Sequence, residues 1–242
     1  MSSLLYIDAN NIQHVIPNVK LGSLTGFEGS TGTIETISNA DYTAVLKTRI
    51  SRKERIISLT IPVRGTSADD LEAKESAYLT MFAQTDAPGI LRYTRNDGTA
   101  RETAVCIADG YPVRTAETNT FSWIDVKFVA CSPYWTDTNE TEIIHNTAFE
   151  NDGDYPAECR LTLNRTVNQI TLDGDVIMKF RNGGMMMTHY VTITDNAITA
   201  TDTSGNNALY KFTLSSKFDL IPTGTHTISG CKGTFRKRWG HA

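Results

Sequence analysis

Several things are missing from this chain of 242 residues, and each absence excludes something. No segment approaches the ~20 consecutive apolar residues that span a bilayer, so no membrane partner is expected. The opening stretch MSSLLYIDANNIQHV has no basic run and too short an apolar one for a secretory leader. The expectation is a protein made and folded in a cytoplasm. On that footing the glycosylation sequons at Asn139 and Asn164 are chance matches. The four cysteines, Cys106, Cys131, Cys159 and Cys231, are widely spaced with no CxxC. A zinc site then lacks paired ligands, and the cysteines read as small, reduced core residues. Five histidines, His14, His145, His189, His226 and His241, stand alone, with none in an HxH or HExxH arrangement. No G-x-S-x-G elbow leads into a helix, so a hydrolase triad has no anchor. Positive charge is also in short supply. The net charge is -4 and the pI near 5.7, which argues against bulk displacement of counterions from nucleic acid. No sequence-specific nucleic-acid contact, no cofactor, no metal and no catalytic residue is predicted.

What remains is a β texture. Thr and Asn are plentiful, and short apolar alternations are separated by turn residues. The organising stretch is residues 120–135, TFSWIDVKFVACSPYW. Ile124, Val126, Phe128 and Ala130 share one face at period two, and Phe121, Trp123, Asp125, Lys127 and Val129 the other. Pro133 ends the strand because it has no N–H to give. Tyr134 and Trp135 follow as two large aromatics. Pro133, Tyr134 and Trp135 are read as the joint between two domains, 1–133 and 134–242.

The first half reads as strands at 4–7 and 19–24, a Gly26–Gly29–Gly32 loop, and strands within 34–50 broken at residues 38–41. A strand at 55–63 puts Ile57, Leu59, Ile61 and Val63 on one face. One helix follows, capped by Thr66 or Ser67, with Asp69 and Asp70 in its first turn and a stripe of Leu71, Tyr78, Leu79 and Phe82. Asn96-Asp97-Gly98 is a hairpin signal. Residues 136–147 are polar and read as a linker. Beyond them no helical period appears, and short candidate strands run through 157–163, 167–172, 176–180, 185–187, 190–193, 197–201, 209–214, 218–220, 226–228 and 234–238. That half reads as a two-sheet sandwich.

Few residues invite chemistry. Arg49, Arg52, Lys53 and Arg55 cluster around one acid. They suit a phosphate or RNA contact, or a charged strand end that discourages stray pairing. The Gly-rich loop lacks the helix and lysine of a phosphate cradle. Asp152/Asp154 and Asp173/Asp175 suit calcium or a glycosidase carboxylate pair, or plain Asp-Gly hairpin turns. Met185 to Met187 suit an adaptable contact surface or packing. The basic run 236–239, RKRW, suits an acidic partner or a cap on the last strand. Tyr155, Tyr190, Tyr210 and Trp239 are the aromatics a sugar would need.

Three pieces, in order, carry a family resemblance: the strand end FVACSPYW at 128–135; NDGDYP at 151–156 with the strand through Cys159; and FDLIPTG at 218–224 followed by residues 225–228. Ser132 stands where an acid is common, and Thr223 precedes the glycine. The chain resembles the distal tail (Dit) proteins of long-tailed, siphovirus-type phages and related tail-tip components. The resemblance implies a mainly β fold: an N-terminal β-sandwich-like domain with one α-helix and a hairpin arm, then a galectin-like β-sandwich. It implies a structural, non-enzymatic virion protein, built into a homo-oligomeric ring of six. The ring would sit at the distal end of the tail, assembled in the host cytoplasm. Its partners would be the tail tube protein, the tail-tip hub of the baseplate and receptor-binding proteins. The hairpin at 34–55 would be the arm to a neighbouring subunit, with Arg49, Arg52, Lys53 and Arg55 as contacts. The rival is a carbohydrate-binding module or adhesin.

Overall fold

A computed structural model describes residues 3–16, 27, 32–38, 45–52, 55–83, 87–163, 167–181, 189–195, 197–213, 215–217 and 219–242, with the backbone alone for 32–38 and 45–52. The chain divides into two compact units, Met1–Trp135 with Gly240–Ala242, and Thr136–Trp239.

The first unit holds β1 (Ser3–Ile7), β2 (Gln13–Ile16), β3 (Gly32–Ser38), β4 (Val45–Arg52), β5 (Arg55–Arg64), α1 (Ala68–Met81), β6 (Gly89–Thr94), β7 (Ala100–Ile107), β8 (Val113–Thr118) and β9 (Phe121–Ala130). Its strands pair antiparallel in the order β2-β1-β6-β7, and β7 passes to β9. β5 runs along the whole of β9, from Arg55↔Ala130 to Arg64↔Phe121. The other edge of β9 is shared by the end of β7 and by β8.

Alternation then decides the core. Ile57, Leu59, Ile61 and Val63 of β5 and Ile124, Val126 and Phe128 of β9 are all buried. Each such side chain contributes about 1.5–3 kcal/mol of burial. Phe82 and Phe128 close over Tyr6, with ring centroids 5.5 and 5.6 Å from it. The helix starts where Ser67 Oγ accepts the Asp70 N–H at 3.2 Å, with Asp69 and Asp70 at its positive end. It lies on β5 and β9. Gly65 is required here, since a Cβ would sit 2.5 Å from the Leu71 nitrogen. Leu71 and Phe82 are buried, whereas Tyr78 and Leu79 are only half-buried. The Asn96-Asp97-Gly98 turn joins β6 to β7, with Gly98 at φ +88°.

The second unit begins in β10 (Trp135–Asp137) and continues through β11 (Thr141–Ile143), β12 (Ala148–Asn151), β13 (Cys159–Thr162), β14 (Gln169–Leu172), β15 (Asp175–Lys179), β16 (Tyr190–Ile193), β17 (Ile198–Thr201), β18 (Gly224–Ser229), β19 (Lys232–Phe235) and β20 (Arg238–Trp239). One sheet runs β11-β19-β13-β16-β17 and the other β12-β18-β14-β15. Leu161, Val191 and Phe235 of the first meet Phe149, Ile170, Met178 and Ile228 of the second in one core. The protein is mainly β with a single α-helix among the described residues, and this unit is a two-sheet sandwich.

Some expectations are corrected. Residues 136–147 are not a plain linker: they contain most of β10 and all of β11. These strands are too short to show alternation, and only Ile143 of β11 is buried. Within the expected strand at 209–214, Leu209–Lys211 form a 3-10 turn instead. Asn207 Oδ1 accepts the Leu209 N–H at 2.9 Å and starts the turn. Leu209 and Phe212 are one 3-10 repeat apart, which brings both toward the core. No strand forms among the described residues of 218–220. β2 and β12 are not among the strands read from the sequence. The expected strand at 19–24, Gly26 and Gly29, Lys53, the sequon at Asn164 and Met185 to Met187 lie outside the described residues.

Candidate assembly site

The proposed joint starts where β9 ends. Trp135 is fully buried within the first unit. Its ring stacks on Phe27 at 5.2 Å, and the Arg55 guanidinium lies over it at 4.9 Å. Tyr93 meets Phe27 edge-on at 5.3 Å. Tyr134 takes part through its backbone: its carbonyl accepts from Arg55 Nη2 at 3.3 Å, and its N–H donates to Ser132 Oγ at 3.2 Å. Pro133 is half-buried beside them.

Arg55 therefore parts company with the basic cluster it was read in. It opens β5, is 4% exposed, and donates to Thr103 Oγ1 at 2.9 Å. Its Nε and Nη1 have no acceptor. Burial lowers its pKa to about 10. A side chain so enclosed is no surface contact. Arg49 and Arg52 instead lie on β4, opposite Glu35 and Gly32 of β3. β3 and β4 pair only with each other among the described residues. A two-stranded ladder of this kind is marginal in water without a further covering surface.

The larger unit-one sheet ends in strands that keep apolar side chains outside. Val15 of β2 is 66% exposed, and Ile56 of β5 is 48% exposed. Every residue of β8 is exposed. A groove of about 420 Å³ beside the helix start is lined by Glu72, Arg114, Glu117 and Asn119, among others.

In the second unit, two sequence motifs far apart in the chain come together. Asn151 is fully buried. Its Nδ2 donates to the Ile221 and Pro222 carbonyls at 3.1 and 2.9 Å, and its Oδ1 accepts the Gly153 N–H at 3.3 Å. NDGDYP is thus tied to the Leu-Ile-Pro-Thr-Gly segment, and an Ala157↔Ile221 bridge continues the contact. Gly153 is needed because a Cβ would lie 2.7 Å from the Arg238 carbonyl.

Two of the three basic side chains of the tail pair closely within the unit, while Arg236 stays exposed. Arg238, 8% exposed in its side chain, pairs with Glu158 at 2.6 Å and Asp195 at 2.9 Å. Lys237 pairs with Asp152 at 2.5 Å. Trp239 Nε1 donates to Asp137 Oδ1 at 2.7 Å. Of the two Asp-Gly sites, Asp173 and Gly174 have φ +52° and +91° and form the tight turn between β14 and β15. Asp173 accepts from His226 Nδ1 at 2.6 Å and from the Thr227 N–H at 2.8 Å. No group of three or more His, Cys, Asp or Glu suited to a metal occurs among the described residues. Nor is any helix among them long and apolar enough to cross a membrane.

The outer face of the five-stranded sheet forms an open groove of about 570 Å³. Register places Glu142, Thr234, Arg160, Thr192 and Thr199 in one row, and Lys232, Thr162, Tyr190 and Thr201 in the next. Arg160 lies 5.1 Å over the Tyr190 ring. The other aromatics considered for sugar binding are elsewhere: Tyr155 bridges to Arg238, Trp239 is held by Asp137, and Tyr210 is 69% exposed beyond the groove.

No family model and no curated protein sequence matches the chain. Solved structures do. The crystal structure of the SPP1 Dit (gp 19.1) protein, described as a paradigm of the hub adsorption apparatus in phages infecting Gram-positive bacteria, matches with a TM-score of 0.65. Identity is 11%, over 98% of this chain and 99% of that one. The chain has the Dit fold. Chains from the phage P2 baseplate in its activated conformation also match over 100% of both chains. The structure with Ca gives a TM-score of 0.53 at 9% identity, and that with Sr gives 0.52 at 8%. Within this Dit fold, sequence reasoning missed Arg55 as a core residue and Asn151 as a tie. A signal existed for Arg55, which continues the buried parity of Ile57 to Val63. None existed for Asn151, whose acceptors lie about seventy residues away.

Proposed function

We propose that this protein is a structural component of a phage tail. Copies close into a ring, six by analogy with the family, at the distal end of the tail. The ring joins the tail tube protein to the tip hub of the baseplate and offers its rim to receptor-binding proteins. Residues 1–133 form the ring and 134–242 the outward sandwich, with Pro133, Tyr134 and Trp135 as the joint. Assembly takes place in the host cytoplasm. The role is architectural, with no catalytic residue assigned.

The observation that carries this reading is the end-to-end likeness to a Dit protein, which spans both units in one chain order. The physics of the first unit supports it. Closed rings use head-to-tail contacts between two different surfaces. Among the described residues β2 and β5 are two different sheet edges, and each carries an exposed apolar residue, Val15 and Ile56. Sheet edges of this kind favour a covering strand. The β3–β4 ladder, with Arg49 and Arg52 on β4, is the candidate arm to a neighbour. Native mass spectrometry with negative-stain imaging of the purified chain tests the proposal. A ring-sized oligomer is expected, reduced to smaller species by Val15→Glu with Ile56→Glu. A monomer at all concentrations, with or without tail-tip components, overturns it.

A second reading rests on the groove around Tyr190. An aromatic among threonine hydroxyls, Arg160, Glu142 and Lys232 has the makings of a sugar site. A glycan array would decide it. Binding abolished by Tyr190→Ala favours a carbohydrate-binding module, and an empty array removes that reading.

A further inference from the structure

The cysteines were expected to be small core residues. Cys159 and Cys231 are buried, but Cys106 and Cys131 are exposed. In β7, Arg101, Thr103 and Val105 point inward, so Cys106 must point out. Register pairs Val105 with Ala130 and Cys106 with Val129. The Cys131 N–H then donates to the Ala104 carbonyl at 2.8 Å, one step past the end of β9. Cys131 thus faces Ala104, and Cys106, two residues along, lies on the same side. The outcome is two solvent-facing thiols with Sγ atoms 3.7 Å apart.

We propose that Cys106 and Cys131 form an oxidation site, which low-molecular-weight disulfides convert to an intramolecular disulfide bond. One thiolate attacks the reagent disulfide RSSR, breaking its S–S bond and expelling one thiolate. The second cysteine attacks the protein sulfur of the mixed disulfide and expels the other. The reagent takes two electrons from the protein, and the two cysteine protons leave with two RSH. The sulfurs must close from 3.7 Å to about 2.05 Å. Cys131 sits where the ladder has just ended, so β9 holds its backbone from one side only. The bond would fasten the end of β9 to β7 immediately before Pro133, Tyr134 and Trp135.

The buried pair is an internal control. Burial pushes Cys159 and Cys231 up to about 12, away from the thiolate form that reacts. Burial and the hydrogen bond with Cys106 also raise Cys131, so the reaction should quicken in mild alkali.

The test treats the full chain with oxidised glutathione at mildly alkaline pH, blocks remaining thiols, and maps peptides without reduction. The expected product is a single peptide pair joining Cys106 to Cys131, with a mass loss of about 2 Da. The thermal midpoint should rise by roughly 5–10 °C and return on reduction. Cys106→Ser should stop at the mixed disulfide on Cys131. Two separate glutathione adducts in the native chain, a bridge between chains, or faster reaction at Cys159 or Cys231 would each overturn the proposal. The peptide map is made on the unaltered chain, so its outcome stands even where the Cys106→Ser variant misfolds.

Discussion

Removing the Asn151 side chain should be among the most damaging single changes to the second unit. The reason is satisfaction of buried groups, not volume. In Asn151→Ala the Ile221 carbonyl keeps its bond from the Ala157 N–H at 2.8 Å. The Pro222 carbonyl and the Gly153 N–H lose the Asn151 partners they have at 2.9 and 3.3 Å, and the carbonyl of Tyr155, a residue with other contacts, loses a long one at 3.4 Å. A buried group left without a partner costs about 1–3 kcal/mol. Two of them cost about 2–4 kcal/mol, since the longer bond to Gly153 is the weaker one. For a unit on the order of a hundred residues, that is a fall of roughly 8–16 °C in thermal midpoint.

Asn151→Asp sharpens the point because its shape is nearly unchanged. Its carboxylate would face the Ile221 and Pro222 carbonyls with no donor to offer. Charge repulsion and burial raise the pKa of such an acid. Only the protonated form restores one donor, so the penalty is smallest in acid and grows as pH rises through the carboxylate range. Thermal and urea unfolding of both variants, the second at pH 4 and pH 7, would check this. If Asn151→Ala lies within about 0.5 kcal/mol of the parent, the tie between the two motifs is not a source of stability.

The remaining predictions concern other sites. Arg55→Met replaces a buried cation, two of whose nitrogens lack acceptors, with an apolar chain of similar length. It should stabilise the first unit by about 1–2 kcal/mol after loss of the Thr103 and Tyr134 bonds, and a clear loss in urea unfolding would count against this. Trp135→Ala removes the ring stacked on Phe27 and should cost about 3–5 kcal/mol, read by calorimetry as a fall in the first unit's transition. Asp70 is held at about 2 by Lys74 and Thr66, and Asp173 is held low by His226 and then Thr227. Both favour the folded state above the ordinary carboxylate value, and this support drains away as pH falls below it, for Asp70 toward about 2. Asp70→Asn should flatten the acid limb of the thermal midpoint in low salt, and an unchanged limb would contradict the assignment.

How much could be read in advance follows from where each signal lives. β5 and β9 were legible because each repeats its alternation over ten residues. The helix was legible through its Ser67 cap and the two acids behind it. β10, β11 and β20 were not, because two or three residues cannot display a period. Partner strands supply what the short segment lacks: β11 exists because β19 pairs with it from Thr141 to Ile143. The Asp-Gly turn at 173–174 was readable, since two positive φ values favour Asp and Gly. The exposed thiols were missed because cysteine was assigned by compositional habit, although the alternation of β7 already turned Cys106 outward.

Folding sorts charges that look alike in sequence. In sequence, the run 236–239 and the cluster 49–55 are equally good basic patches. Folding separates them. Arg238 spends its guanidinium on Glu158 and Asp195, and Lys237 its amine on Asp152, so the tail holds the sandwich together. Arg55 disappears into the first unit's core. Among the described residues, the edge strands β2 and β5 of the first unit carry the exposed apolar side chains Val15 and Ile56. An edge of that kind recognises another strand by its ladder and by apolar contact, and gains little from long-range attraction. A sheet edge that is open among the described residues can meet another strand at close range, the kind of contact the proposed ring would use.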